Sequence, residues 1–195
     1  MTPEFLFDPE THTYTLNGRV LPHVTEIVNG VVPRSWYADE WYLNRGRQTH
    51  KAIALLLRDN LDRDSLDPEI RGYVAAAERA CREQNWKQLL VEQPLAHDRL
   101  LYAGTLDLLT TDGTLADWKA TNEPQTEIQV GGYLELCQRN GIKVARCTAV
   151  ELHQDGTYKL EHYTPWRSRQ LFLAFLSVYG WKQKHIKPQQ EKETK

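Results

Sequence analysis

Hydrophobic and polar residues alternate in the first twenty residues and then follow helical spacing. The segment FLFDPETHTYTLNGRVLPHV alternates apolar and polar positions on either side of Asn17-Gly18, a dipeptide that favours a two-residue hairpin turn. After Ser35, which suits a helix N-cap, apolar residues recur at helical intervals as far as Leu57. The pattern predicts an N-terminal β-hairpin and then a helix that Gly46 interrupts or bends.

The middle of the chain changes from helical to strand-like spacing. The acidic run DNLDRDSLDPE is typical of a loop, and Asp67-Pro68 then supplies a cap and a first-turn proline for a helix predicted to reach about Gln84. From Gln88 the runs QLLVEQPLA, LLYAGTLDLL and TLADWKAT are separated by the turn-forming pairs HD and DG. They predict a three-stranded meander, followed by a helix from near Pro124 that Gly141 closes.

The last third of the chain completes a mixed pattern. The runs KVARCTAVEL and TYKLEHYT predict two strands around Asp155-Gly156, and PWRSRQLFLAFLSVYGWKQKHI has the spacing of an amphipathic helix. The polar residues 188–195 are predicted to be disordered. With no repeat and no interdomain linker in 195 residues, we expect one domain over residues 1–187, of the α/β (α+β) class, with helices flanking a central mixed sheet.

Composition and charge narrow the functional classes. Hydrophobic residues make up 41% and charged residues 26% of the chain, which is typical of a globular protein. The formal charge of -2 provides no overall basic field, so contact with nucleic acid would need a local patch. No secretory leader pattern and no run of about 18 apolar residues is present. We therefore expect a cytoplasmic protein without a membrane span.

The three cysteines, Cys81, Cys137 and Cys147, are widely separated and form no C-x-x-C pair. This spacing argues against a zinc ribbon or a disulfide framework. An odd number of separated cysteines is typical of buried thiols in a reducing compartment.

Charged residues interrupt two apolar strands in the segment GTLDLLTTDGTLADWKAT, residues 104–121. They are Asp107, Asp117 and Lys119. Burying charges inside a hairpin costs several kcal/mol per ion unless another group compensates them. The segment therefore predicts a compensating partner for the two carboxylates.

The length of the turn decides whether these carboxylates meet. A three-residue loop over 111–113, with Gly113 in the left-handed conformation, places Asp107 directly opposite Asp117. Lys119 then lies further along the same face. The opposite, apolar face would carry Leu106, Leu108, Ala116 and Trp118. A two-residue turn would instead put the two aspartates on opposite faces.

Facing carboxylates repel each other across a sheet. A divalent cation would reverse this repulsion, and hard oxygen ligands suit Mg²⁺ or Mn²⁺ bound together with a substrate phosphate. Lys119 adds a positive charge that can stabilise a phosphate oxygen or position a water. The three residues fit metal-assisted hydrolysis of a phosphodiester. The alternative is a solvated sheet face on which Lys119 pairs with one aspartate.

Three motifs in a fixed order resemble those of the PD-(D/E)XK nuclease superfamily, in particular its RecB-type exonucleases. They are G-x-x-D at Gly104 and Asp107, D-x-K at Asp117 and Lys119, and Q-x-x-x-Y at Gln129 and Tyr133. The segment LPHVTEIV is also similar to one in phage exonucleases and in the mitochondrial genome maintenance exonuclease. The resemblance covers about residues 22–133 and implies a restriction-endonuclease-like core.

The resemblance also implies roles for individual residues. In that branch an upstream helical histidine joins the metal ligands, and the run RGRQTHKAI supplies one. The implied ligands of one or two Mg²⁺ or Mn²⁺ ions are His50, Asp107, Asp117 and the carbonyl of Trp118. Lys119 would be catalytic, with Asp107 and Asp117. Gln129 and Tyr133, which share a helix face, would contact DNA or orient the site.

Other residues near these motifs are candidates for DNA contacts. Stacking of bases on Trp36, Tyr37, Trp41 and Tyr42, with Arg45 and Arg47 on phosphates, would hold a single strand. The alternative is that the aromatic residues form a core stripe. Glu92 could approach the same cleft, but a carboxylate at its rim without a role is as consistent, so the predicted ligands do not include it.

The implied activity is a metal-dependent exonuclease acting on DNA ends or single strands, in recombination, repair or phage DNA processing, in a bacterium or phage. Iron-sulfur relatives use one cysteine before the nuclease core and three after it, so no cluster is expected here. The chain has no G-x-x-x-x-G-K-[ST] motif, so a helicase or recombination protein would unwind any duplex. The alternatives are a non-catalytic DNA-binding or assembly subunit and a structure-specific endonuclease.

Overall fold

A computed structural model describes residues 4–32 and 40–186. Ser35, Trp36, Tyr37 and the tail from 188 therefore lie outside the described residues. In chain order the elements are β1 (Phe5–Asp8), β2 (Thr13–Leu16), β3 (Arg19–Leu21), α1 (Val24–Val31), α2 (Glu40–Leu57), α3 (Pro68–Glu83), β4 (Gln88–His97), β5 (Tyr102–Thr110), β6 (Thr114–Lys119), α4 (Pro124–Arg139), β7 (Arg146–Leu152), β8 (Tyr158–Tyr163) and α5 (Pro165–His185).

The central sheet has five strands in the order β4-β5-β6-β7-β8. Neighbouring strands are antiparallel except β6 and β7, which are parallel and are connected through α4. One apolar cluster joins the sheet to α1, α4 and α5, and a second joins it to α2 and α3. We call these sides of the sheet the α4 face and the α2 face. The predicted α/β class, with helices flanking a mixed sheet, is confirmed.

The N-terminal segment forms a separate three-stranded antiparallel sheet of β1, β2 and β3. Asn17 and Gly18 have φ values of 50° and 76°, as a tight hairpin turn requires, and they join β2 to β3 as predicted. β1 adds a strand beside β2. The N–H of Ala103 donates to the carbonyl of Pro22 at 3.0 Å. The N-terminal sheet therefore lies beside the start of β5.

Two helices differ from the sequence prediction. α1 was not predicted, yet its buried Val24, Ile27 and Val28 follow helical spacing, and the His23 side chain caps it by accepting a hydrogen bond from the N–H of Glu26. The predicted interruption of α2 at Gly46 does not occur. A helix-interior glycine costs only about 1 kcal/mol, and burial of the apolar residues of α2 against the sheet offsets that cost.

Two further expectations concern the state of the cysteines and the absence of a membrane span. Cys137 and Cys147 are buried, Cys81 is half-buried, and all three are free thiols. Within residues 4–32 and 40–186, no helix has the length and apolar character needed to span a bilayer.

Close packing of α4 against α5 depends on small residues. A Cβ atom added at Gly131 would lie 2.0 Å from the carbonyl oxygen of Ser168 and 2.4 Å from its carbonyl carbon. These are main-chain atoms of α5, so the contact can be relieved only if the two helices move apart. Because α4 also carries Gln129 and Tyr133, its position affects the candidate site.

Gly131→Ala should therefore lower the free energy of unfolding by about 3 kcal/mol, the upper range for overpacking a core. Gly180→Ala in α5 is the matched control, because its added Cβ meets no atom within 4 Å. It should stabilise the protein by about 0.5–1 kcal/mol through helix propensity. Urea denaturation followed by circular dichroism measures both changes. Equal stabilities of the two variants would contradict the close helix contact.

Candidate functional site

The strands β5 and β6 diverge where the two predicted carboxylates lie. They pair at Leu108↔Ala116 and Leu109↔Leu115, the register that the three-residue loop predicted. Asp107 and Asp117 occupy the next position of each strand, just past the last of these pairs. There the main-chain N–H of Trp118 donates to Oδ2 of Asp107 at 2.8 Å. The Asp107 side chain thus accepts a main-chain hydrogen bond from β6 at the point where β5 and β6 separate, which we call the fork.

The neighbouring strand β4 brings a third carboxylate to the fork. Val91 pairs with Leu108 and Gln93 with Leu106, so Glu92 lies opposite Asp107. Glu92 has a φ of 45°, a left-handed conformation that is rare for a non-glycine residue in a strand and costs about 1–3 kcal/mol. Such conformations persist where the surrounding structure imposes them, and they are enriched at functional sites.

The regular alternation of β5 side chains between the two faces of the sheet is also interrupted at this position. In a regular strand Leu106 and Leu108 would point to the same face, and the sequence analysis placed them together. Leu108 packs in the cluster of the α2 face, whereas Leu106 packs in the cluster of the α4 face. The prediction for Leu106 is therefore wrong. The irregular backbone at Glu92, opposite Asp107, accounts for the change because it interrupts the alternation that the prediction assumed.

Helix α2 directs His50 at the two carboxylates. Nδ1 of His50 lies 3.1 Å from Oδ1 of Asp107 and 3.7 Å from Oε1 of Glu92. One ligand atom from each of the three residues lies within 4.8 Å of the others. The His50 side chain is 33% exposed, so the cluster is open on one side. Two carboxylates and an imidazole form a donor set that suits a divalent cation.

The charges of this cluster depend on one another. Burial lowers the pKa of His50, but the adjacent Asp107 and Glu92 carboxylates overcome this effect and raise it to about 10. Burial raises the pKa of Asp107, yet His50 and Lys119 more than offset it, so the net shift is downward. Burial also raises the pKa of Glu92. The carboxylates of Asp107 and Glu92 thus favour the protonated, positively charged form of His50. A divalent cation would take the place of that charge.

Asp117 pairs with Lys119 rather than with the His50 cluster. Its Oδ2 lies 2.7 Å from Nζ of Lys119. Burial raises the pKa of Asp117 to about 6, with Lys119 opposing the rise and Asp107 adding to it. Within the described residues, this buried oxygen has the Lys119 amine as its ion-pair partner and accepts no further hydrogen bond. An acceptor with unused capacity beside Asp107 fits a site for a hard cation.

Gln129 and Tyr133 are both buried on α4. Tyr133 packs against Gly104, where an added Cβ would lie 3.1 Å from the Tyr133 ring and 3.0 Å from Val24. This close approach explains the glycine of the G-x-x-D motif. Burial raises the pKa of Tyr133, and Asp117 and Asp107 raise it further. Tyr133 therefore lies near the carboxylates, while the DNA contacts predicted for it and for Gln129 stay predictions.

The predicted arginines occupy two different environments on α2. The guanidinium carbon of Arg45 lies 4.8 Å from the ring centre of Trp41, 5.1 Å from that of Tyr42 and 5.3 Å from that of Tyr73. Trp41 and Tyr42 are 46% and 50% exposed, which disagrees with the core-stripe alternative for Trp41.

A pocket of about 50 Å³ is lined by Arg45 together with His50 and Lys119. Arg47 is exposed.

Sequence reasoning left Glu92 out of the predicted ligands. The signal that could have included it was the predicted β4–β5 pairing, because a register fixed at the His97–Tyr102 turn places Glu92 opposite Asp107. The structure places His50 beside Asp107 and Lys119 beside Asp117, and the roles predicted for these residues stay predictions.

Comparisons with known proteins found similarity only among solved structures. No family model and no curated protein matches the chain. A candidate exonuclease from Eubacterium rectale superposes with a TM-score of 0.49 and 10% identity, over 75% of this chain and 71% of its own. An alkaline exonuclease from Laribacter hongkongensis gives 0.43 and 12%, over 82% and 88%. A complex of that enzyme with dAMP gives 0.41 and 14%, over 84% and 92%.

Proposed function

We propose that this protein is a metal-dependent deoxyribonuclease of the PD-(D/E)XK superfamily, of the RecB exonuclease type. The observation that carries the proposal is the convergence of His50, Glu92 and Asp107 beside the ion pair of Asp117 with Lys119. Two carboxylates and an imidazole meet the ion pair of a third carboxylate and an amine at one fork of the sheet. A solvated sheet face would have no need to bury these charges.

The donor set favours Mg²⁺ or Mn²⁺ as the cofactor. Asp107, Glu92 and His50 would hold the ion, with Asp117 and the Trp118 carbonyl as further ligands of one or two ions. A divalent cation bound there supplies Lewis-acid stabilisation of the charge that develops on a phosphodiester. Its binding would also remove the proton that the carboxylates hold on His50.

The protein's own residues would orient and activate the attacking water. Lys119 is the candidate, because its amine can donate to the water or accept its proton. Asp117 holds that amine in place at 2.7 Å. Tyr133 and Gln129 would set the position of the carboxylates from α4. The exposed rings of Trp41 and Tyr42 would stack on bases, while Arg45 braces these rings and Arg47 reaches a phosphate.

The proposed substrate is DNA with free ends or in single strands. An exposed aromatic pair and local arginines bind without sequence preference, and the chain has no overall basic field for wrapping a duplex. Acting on a duplex would then require a helicase or recombination partner. The proposed setting is recombination, repair or phage DNA processing in the cytoplasm of a bacterium.

Digestion of end-labelled DNA tests this function. Purified protein with Mg²⁺ or Mn²⁺ should release nucleotides from 5′- or 3′-labelled single strands, because the cation completes the carboxylate cluster. Excess EDTA should abolish release, and added Mg²⁺ should restore it. Circular single-stranded DNA should survive, since an exonuclease needs an end. Cleavage of circles would indicate an endonuclease, and the absence of metal-dependent cleavage from every substrate would refute the proposal.

A further inference from the structure

The N-terminal sheet holds an exposed histidine in a constrained position. His12 has a φ of 52°, and its ring makes edge contacts with the rings of Phe7, Tyr14 and His23 at centre distances of 5.5, 5.3 and 5.4 Å. Its Nε2 lies 3.1 Å from the hydroxyl of Tyr14. An exposed side chain with a left-handed backbone and four such restraints is fixed in place rather than free to rotate.

Tyr14 links this histidine to the candidate site. Its buried hydroxyl lies 2.8 Å from Oγ1 of Thr105, two residues before Asp107 on β5. Burial raises the pKa of Tyr14 to about 12, and the carboxylates of Glu92 and Asp107 contribute to the rise. Tyr14 therefore lies within electrostatic reach of both carboxylates. The chain of contacts places His12 at the border of the site.

Two further donors accompany His12. Nδ1 of His23 accepts a hydrogen bond from the N–H of Glu26, so the neutral ring carries its hydrogen on Nε2 and presents it as a donor. Arg47 is exposed on α2. Partial burial of its ring, His23 and Arg47 all lower the pKa of His12. Among the described residues no carboxylate offsets this effect at His12, whereas burial lowers the pKa of His23 and the Glu26 carboxylate opposes that shift.

We propose that His12, His23 and Arg47 bind a backbone phosphate of the DNA strand that enters the candidate site. When the Tyr14 hydroxyl donates to Nε2 of His12, the neutral ring of His12 carries its hydrogen on Nδ1. That N–H, the Nε2–H of His23 and the Arg47 guanidinium are then donors, and a phosphate oxygen is the acceptor that suits them. Tyr14 is the positioning residue that fixes His12. This inference rests on the proposed function, and it gives the N-terminal sheet the task of holding the substrate strand. Contacts to phosphate would fix the position of the strand without reading its sequence.

The test uses substitutions that keep the local backbone. His12→Asn suits the left-handed conformation, which asparagine tolerates, and His23→Ser keeps a side-chain cap for α1. Arg47→Gln changes an exposed helical residue and covers the case in which a histidine variant fails to fold. Tyr14→Phe keeps the ring and removes only the hydroxyl. His162→Asn, exposed on β8, is the matched control.

Two readouts separate this inference from the proposed function. Fluorescence anisotropy of a labelled single-stranded oligonucleotide with Ca²⁺ gives Kd without cleavage, and digestion with Mg²⁺ gives KM and kcat. His12→Asn, His23→Ser and Arg47→Gln should each raise Kd and KM about tenfold, the effect of losing a hydrogen bond to a charged group. kcat should stay near the wild-type value. Tyr14→Phe should raise KM less, and His162→Asn should change neither constant.

The outcomes are distinguishable. If the wild type binds DNA more tightly than the three variants but does not cleave it, the proposed nuclease function fails and the phosphate site stands. If the wild type cleaves DNA and the folded variants keep its Kd and KM, the phosphate site fails and the nuclease stands. A wild type that does not bind DNA overturns the phosphate site as well. A fall in kcat with unchanged KM would assign these residues to the reaction instead of to strand binding.

Discussion

Asp107→Asn is expected to reduce metal-dependent cleavage of DNA by about a thousandfold, the loss typical of removing one preorganised electrostatic contact from a site. Asparagine has nearly the same shape and can still accept the hydrogen bond from the N–H of Trp118. It removes the negative charge that faces His50 and Glu92. The fold should therefore persist while the cation loses its central ligand. Initial rates of digestion at saturating Mg²⁺ measure the effect.

Asp64→Asn provides the control for this change. Asp64 is exposed in the loop between α2 and α3. The same change of charge there should leave the rate unaltered. Thermal melts should show whether both variants remain folded, and Mn²⁺ should raise the Tm of the control but not of Asp107→Asn. Wild-type cleavage by Asp107→Asn would remove Asp107 from the reaction.

Lys119→Met is expected to lower kcat by roughly a hundredfold to ten-thousandfold, the range for loss of a positioned proton donor or acceptor. Methionine keeps most of the aliphatic stem and removes the amine that lies 2.7 Å from Asp117. Because the metal ligands remain, KM and Mn²⁺ affinity should change much less than kcat. Steady-state kinetics together with calorimetric titration of Mn²⁺ separate the two effects.

Lys159→Met, exposed on β8, is the matched control and should cleave as the wild type does. If Lys119→Met instead lost Mn²⁺ binding and kept its kcat once the metal was saturating, Lys119 would support the ligands and take no part in proton transfer. An unchanged kcat with unchanged metal affinity would place Lys119 outside the reaction altogether.

The sequence predicted several features that depend on local geometry. The register that puts Asp107 and Asp117 at the next position of β5 and β6 follows from a three-residue loop closed by Gly113, whose φ of 81° agrees with the left-handed conformation the loop needs. The start of α3 at Asp67-Pro68 follows from its capping residue and first-turn proline. Both signals involve residues within a few positions of one another, so one sequence is sufficient to recognise them.

Features that depend on contacts between distant segments were not predictable in the same way. Glu92 enters the site because β4 pairs with β5 and because its own backbone is left-handed. No residue type near Glu92 signals that conformation, since it is imposed by the packed sheet. The same irregularity moved Leu106 to the α4 face. The charge of Arg47 likewise lowers the pKa of His12, 35 positions away in the sequence, because the N-terminal sheet docks beside β5.

Anomalous diffraction from crystals soaked in Mn²⁺ tests the central claim most directly. The account predicts a peak at the fork of β5 and β6, in coordination contact with the carboxylates of Asp107 and Glu92 and with His50. No peak at that fork, or a peak only at carboxylates elsewhere on the surface, would contradict it.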